Sequence, residues 1–207
     1  MTIEEAASKV KAPVIKDESS RPVMTVGILG GSFNPVHNGH IAVAKAVIKA
    51  GMADEVWLTL SPLNPLKANS SELAPDHDRL EMLRLATEGI NGLRVCDIEL
   101  SMPRPSYTIN TLNELSRIHP GIRFRLLIGA DNMQIFNRWR AHDEIAERFS
   151  PIVYPRPGYK CEGCLDMDEF DISSTEIRRM LKDGEDVNNL MPEKVVNYIR
   201  RHSLYTD

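Results

Sequence analysis

Two spacings of apolar residues alternate along the chain. Val23 to Leu29 is a nearly continuous apolar run that stops at Gly30-Gly31, the signature of a strand buried on both faces. Ile41, Ala44, Val47 and Ile48 then recur at helical spacing. Glu55 to Leu60 predicts a second strand, and Ser61 to Ser71, rich in Pro, Asn and Ser, a loop. Asp76 to Glu88 carries Leu80, Leu83 and Ala86 on one helical face, with Gly89 as the stop. Leu93 to Leu100 alternates as a strand, and Ser101 to Ser106 is another loop. Ile109, Leu112 and Leu115 make Thr108 to Ile118 a helix, and Arg123 to Ile128 a strand running into Gly129. Two short helical stretches fall within residues 131–149, then a strand over Pro151 to Tyr154 and a further short one before Asp171. Ser173 and Pro192 open the last two helices, the final turn holding Arg200, Arg201 and His202.

Strands alternating with helices predict an α/β fold: a single Rossmann-like, doubly wound parallel sheet with helices on both faces. Such sheets bind ligands beyond the carboxyl ends of their strands, where the strand order reverses. Residues 1–22 are charged and weakly periodic and read as an N-terminal extension, mobile in part, before a domain spanning 23–207. No internal repeat or low-complexity tract interrupts it.

Composition narrows the class. A length of 207 residues suits one domain, and 42% hydrophobic with 26% charged residues is ordinary for a soluble globular protein. There is no run long enough to span a bilayer and no apolar signal-peptide core, so the cytoplasm is the expected location. Three cysteines are too few for a disulfide framework, and Cys161-Glu-Gly-Cys164 lacks the second Cys/His pair of a zinc site. A net charge of −4 argues against broad nucleic-acid binding, yet a few local cations suffice for a phosphorylated small molecule.

The candidate chemistry follows the strands. Gly27-Ile-Leu-Gly-Gly-Ser-Phe-Asn-Pro-Val-His-Asn-Gly-His40 is a strand, a tight glycine turn and a helix start. Glycines admit a ligand close to the backbone, and the helix start offers unpaired N–H groups to an anion, with His37 and His40 as further donors. Ile172-Ser-Ser-Thr-Glu-Ile-Arg178 has capping-box spacing at Ser173 and Glu176, and would also present Ser174, Thr175 and Arg178 to an oligophosphate. Pro105-Ser-Tyr-Thr-Ile-Asn-Thr-Leu112 reads as a loop and helix start, with Tyr107 packing and Thr108 capping. Leu127-Ile-Gly-Ala-Asp-Asn132 places Asp131 beyond a strand end, either as an N-cap or on a ribose hydroxyl. Phe136-Asn-Arg-Trp139 holds a tryptophan suited to core packing or to stacking.

The glycine and histidine segment with the late Ile-Ser motif resembles the nucleotidyltransferase superfamily. The Ser-Tyr-Thr, Ile-Gly-x-Asp and Trp segments, with Arg156-Pro-Gly158, resemble one branch, the bacterial nicotinate-mononucleotide adenylyltransferases, from about Met24 to Tyr205. The resemblance implies ATP and nicotinate mononucleotide as substrates and adenylyl transfer with loss of pyrophosphate. By it, His40 serves the α-phosphate, His37 the triphosphate, Lys67 the attacking phosphate, and Arg178 the β- and γ-phosphates. Gly30, Gly31, Ser32, Phe33, Gly39, Gly129, Asp131, Ser173, Ser174 and Thr175 would line the ATP site. Tyr107, Thr108 and Trp139 would shape the nicotinate pocket, main-chain groups near the first two taking the ring carboxylate. Mg2+ would arrive with ATP, bound by phosphates and water, with no protein metal ligand. Nucleic acid and membrane are not expected partners, and a homo-oligomer stays open. Leu66 stands where the family has histidine, and Asn34 where aspartate is common. Alternatives are a pantetheine-phosphate adenylyltransferase or cytidylyltransferase on the same scaffold, and a nonenzymatic nucleotide sensor.

Overall fold

Five strands lie parallel in one sheet in the order β3-β2-β1-β4-β5. They are β1 (Met24–Gly31), β2 (Glu55–Leu60), β3 (Leu93–Cys96), β4 (Ile122–Gly129) and β5 (Ile152–Tyr154). The helices are α1 (Asn38–Lys49), α2 (Asp76–Thr87), α3 (Thr108–Ile118), the short α4 (Ala130–Met133), α5 (His142–Phe149), α6 (Ser174–Lys182) and α7 (Glu193–Arg201). This computed structural model describes residues 24–62, 73–168 and 170–206. The expected extension over residues 1–22, most of the loop after β2, and Lys67 and Leu66 within it lie outside the described residues.

β1 is the central strand, pairing with β2 from Val26 opposite Glu55 and with β4 from Met24 opposite Ile122. Its run of apolar residues is explained by cover on both faces. Leu29 faces a core built with Val43, Val47, Leu83, Ile177 and Val196, while Val26 and Ile28 face a second one with Leu112, Leu115, Phe136 and Ile145. Gly27 is needed because a Cβ there would stand 2.6 Å from Leu127 Cδ1 on the neighbouring strand.

Three expectations change. The alternation from Leu93 to Leu100 continues past the strand: β3 ends at Cys96, and Ile98–Ser101 coils into a 3-10 turn. β2 pairs with β3 only as far as Thr59 opposite Cys96 and itself stops at Leu60, so the later residues have no partner edge. Within 131–149 there are three helical pieces, the extra one being a single turn over Phe136–Arg138. Before Asp171 no further strand forms among the described residues; the segment touches the three-residue β5 through one bond, Leu165 N–H to the Val153 carbonyl at 2.8 Å. In the same segment Cys161 and Cys164 are joined as a disulfide, with Cα atoms 5.7 Å apart.

Candidate active site

The chain leaves β1 toward one edge of the sheet and reaches β4 on its other side, so the strand order reverses between these two neighbours. Gly30 lies at that crevice with open space where a Cβ would be, so packing does not demand glycine there and the bare backbone is what the position offers. At Gly31 a Cβ would crowd the Phe33 ring at 3.2 Å. Phe33 turns the chain at φ 44° with a buried side chain, a conformation that bulky residues rarely take and that functional loops collect. Ser32 follows the turn's backbone, its carbonyl accepting from Arg79 Nη1 at 2.7 Å.

His37 caps α1, and His40 sits in its first turn. His40 Nδ1 accepts the His37 backbone N–H at 3.2 Å, so a neutral His40 ring carries its proton on Nε2. The two rings lie 3.7 Å apart between centroids, and the Phe33 ring meets His40 edge-on at 4.9 Å. His37 is buried, and its Nδ1 has no hydrogen-bond partner. Burial first, and the positive charge of Arg156 second, push its pKa down to about 3. His37 is therefore neutral at pH 7. Gly39 lies under that ring: a Cβ would stand 3.0 Å from His37 Nδ1.

The late motif docks on this loop. Ser173 Oγ accepts the Glu176 N–H at 3.1 Å, but the Glu176 carboxylate turns to Arg179, so only half of the expected capping box forms. Ser174 Oγ donates to the Pro35 carbonyl at 2.9 Å, and Arg178 Nη1 to the Asn34 carbonyl at 2.9 Å. Thr175 stays exposed in the first turn of α6. Asn34 Oδ1 in turn accepts from the Ala74 N–H at 3.0 Å and the Tyr205 hydroxyl at 2.7 Å. The two motifs, far apart in sequence, thus form one unit.

On the β4 side Gly129 is the cap of α4 and Asp131 lies within its first turn, so Asp131 is not an N-cap. A Cβ on Gly129 would collide with the Asp131 carboxylate, which folds back over the glycine. Asp131 Oδ1 is buried 3.8 Å from Arg156 Nε.

Between the carboxyl ends of β1 and β4 and the start of α3 lies a cavity of about 180 Å³. Gly30 and Gly31 form one side, Tyr107, Thr108 and Trp139 another, and Glu99 with Ser61 and Ser106 a polar part. Tyr107 is the N-cap of α3 and Thr108 its first residue, so the Thr108 hydroxyl is not the cap. Trp139 packs on Phe136 at 5.7 Å while lining the cavity, so the core and stacking readings both describe it.

Two residues with a bearing on the site, Arg79 and Glu99, are not singled out by the sequence pattern, and a third, Arg156, is seen there only as part of a motif. Arg79 is wholly buried and spends its guanidinium on the carbonyls of Ser32, Ser61, Pro62 and Ala74 and on Asp76. Its signal was available: it falls on the Leu83 and Ala86 face of α2. Glu99 is buried in the 3-10 turn, Oε1 accepting from Thr111 Oγ1 at 2.9 Å and Oε2 without a partner. Burial pushes its pKa up against the pull of the Thr111, Ser61 and Ser106 hydroxyls. Arg156 stands between Asp131 and His37. Among the described residues there is no cluster of three or more His, Cys, Asp or Glu placed to hold a metal ion. No helix among them is long and apolar enough to cross a membrane.

The Cytidylyltransferase-like family matches residues 28–180. A probable nicotinate-nucleotide adenylyltransferase of Bacteroides fragilis (strain YCH46) is 41% identical over 181 residues, 84% of this chain and 90% of that protein. One of Flavobacterium johnsoniae is 35% identical over 192 residues, 88% of this chain and 99% of its own. Among solved structures, the nicotinic acid mononucleotide adenylyltransferase of Plasmodium falciparum complexed with NaAD superposes with a TM-score of 0.71 at 19% identity, covering 88% of this chain and 97% of that one. The sequence match spans the glycine turn, both histidines, the cavity-lining residues and the Ser-Ser-Thr helix start, and on that ground the chain belongs to the nicotinate-nucleotide adenylyltransferase family within the cytidylyltransferase-like proteins.

Proposed function

We infer that this chain transfers the adenylyl group of ATP to nicotinate mononucleotide, giving nicotinate adenine dinucleotide and pyrophosphate, a step of NAD biosynthesis that runs in the cytoplasm. One observation carries the reading: the cavity bounded by Tyr107, Thr108 and Trp139 shares Gly30 and Gly31 with the loop that leads to His40. A ring held in that cavity has its phosphate tail directed along the phosphate loop. The names of the relatives support the same substrates, and Plasmodium falciparum structures with NaAD and with APC share the fold.

A phosphate oxygen of the mononucleotide attacks the α-phosphorus of ATP. The bond from that phosphorus to the bridging oxygen breaks, and its electron pair leaves with pyrophosphate. The attacking oxygen is already anionic, so the site needs alignment and charge stabilisation rather than a strong base. His40 Nε2–H serves the α-phosphate. His37 holds the His40 ring through its backbone N–H and, being neutral, brings no positive charge to the triphosphate it was expected to serve. Arg178 and the start of α6 hold the β- and γ-phosphates, with Ser173 and Ser174 shaping that end. Asp131 takes a ribose hydroxyl, and Lys67 the attacking phosphate. Mg2+ carried on the phosphates would neutralise charge on the leaving pyrophosphate.

The test is pyrophosphate release from Mg·ATP with nicotinate mononucleotide, beside nicotinamide mononucleotide and phosphopantetheine. Release with a pyridine mononucleotide is expected. Release with phosphopantetheine alone would keep the phosphate loop and overturn the pocket.

A further inference from the structure

The acid and amide mononucleotides have nearly the same shape and differ by one negative charge on the ring substituent. A pocket that separates them must do so with its own charge and hydrogen bonds. Beside the Tyr107 phenol, one carboxyl and two guanidinium groups line this cavity: Glu99, Arg138 and Arg140. The two arginines flank Trp139 in sequence and are exposed at the mouth. Glu99 is buried, with Oε2 unpaired. Neither arginine has an ion-pair partner among the described residues. Arg140 is also held: its guanidinium carbon stands 4.9 Å from the centroid of the Tyr107 ring. A guanidinium resting on an aromatic face at the mouth of a pocket is preorganised for an anion, because little side-chain entropy remains to be lost.

Resting on the adenylyltransferase reading above, we propose that Arg140 is a specificity-determining residue that selects the acid over the amide form of the pyridine mononucleotide by its charge. Trp139, Tyr107 and Arg140 line the same cavity, and the Arg140 guanidinium lies over the Tyr107 ring, so a ring stacked on Trp139 shares the cavity with that cation. The carboxylate then points toward Arg140 and Tyr107. Glu99, with Thr111 on its Oε1, is the buried end of the cavity, whereas Arg140 is exposed. Any negative charge on Glu99 repels the ring carboxylate from that end, so the pocket is polar in the sense that favours one placement of the anion. The amide gains nothing from Arg140 beyond a weak dipole interaction.

The experiment measures dissociation constants of both mononucleotides by calorimetry, and kcat/KM for both, with the wild-type chain, Arg140→Gln and Arg140→Lys. Removal of one partly solvated charge should weaken the acid by roughly tenfold in binding and in kcat/KM. The amide should change less than about twofold, and Arg140→Lys, which keeps the charge but not the stacked planar fork, should fall between wild type and Arg140→Gln in its preference. Added salt should shrink the acid-to-amide ratio of the wild type and leave that of Arg140→Gln nearly flat. An equal loss for both substrates, or an unchanged ratio, would overturn the role of Arg140. Lack of turnover by the wild type would overturn the proposed reaction instead, while the binding ratio would still decide on Arg140.

Discussion

Arg79 Nη1 donates to the Ser32 carbonyl at 2.7 Å, and the same nitrogen reaches the Ser61 carbonyl at 2.9 Å. One buried guanidinium thus ties the turn after β1, which leads to the histidines, to the end of β2. Arg79 is a positioning residue, with its burial offset by Asp76 and four carbonyls. Arg79→Lys keeps the charge but cannot supply donors in the same fork. It should cost about 2–4 kcal/mol of stability, because several buried carbonyls lose their partner. Urea unfolding checks this, and a loss under 1 kcal/mol would mean that water replaces the fork.

His40→Ala should lower kcat by ~100-fold or more, the usual loss on removing a donor that meets developing charge. The substrate constants should move much less, since the ring acts on the transition state. Steady-state kinetics with Mg·ATP and nicotinate mononucleotide separates the two. Near-wild-type turnover would remove His40 from the reaction.

Trp139→Ala should raise KM for the mononucleotide roughly tenfold, the scale of one lost ring stack, with KM for ATP little changed. A selective rise in the ATP constant would place Trp139 in the other pocket.

The sequence showed most of this site because its chemistry hangs on strand ends. An apolar run stopping at Gly30-Gly31 fixes a strand end, and the residues after it must lie at the crevice. Ser173 likewise capped its helix as its spacing implied. What stayed hidden depends on partners. Whether the Leu93 to Leu100 alternation pairs is decided by where β2 stops. That Arg79 is buried is decided in part by the carbonyls of Ser32, Ser61 and Pro62, distant in sequence. Glu99 lies within the expected strand, and its contact with Thr111 of α3 depends on the 3-10 turn that replaces the strand's second half. The Cys161–Cys164 bond and the missing strand before Asp171 likewise reflect local chain path, which no periodicity encodes.

The stability of the fold should depend on pH through His37. Burial and Arg156 hold its pKa at about 3, against the ordinary histidine value of 6.5 in the unfolded chain. Between these values the unfolded chain binds a proton that the folded chain refuses. Stability is therefore fully present above about 6.5 and falls as the pH drops toward 3, by at most ~1.4 kcal/mol per pH unit. Glu99 bends the curve the other way. Its raised pKa means that the folded state keeps its proton longer, so its contribution is present below 4.5 and lost as the pH rises through the folded value. A single curve mixes the two. The difference between wild type and His37→Gln cancels Glu99, which both chains share, and should change steadily between pH 6.5 and 4 in urea midpoints. Parallel curves would mean that folded His37 takes its proton near the ordinary value. A charge on His37 would then be available to the triphosphate, and the neutral role given to it here would be withdrawn.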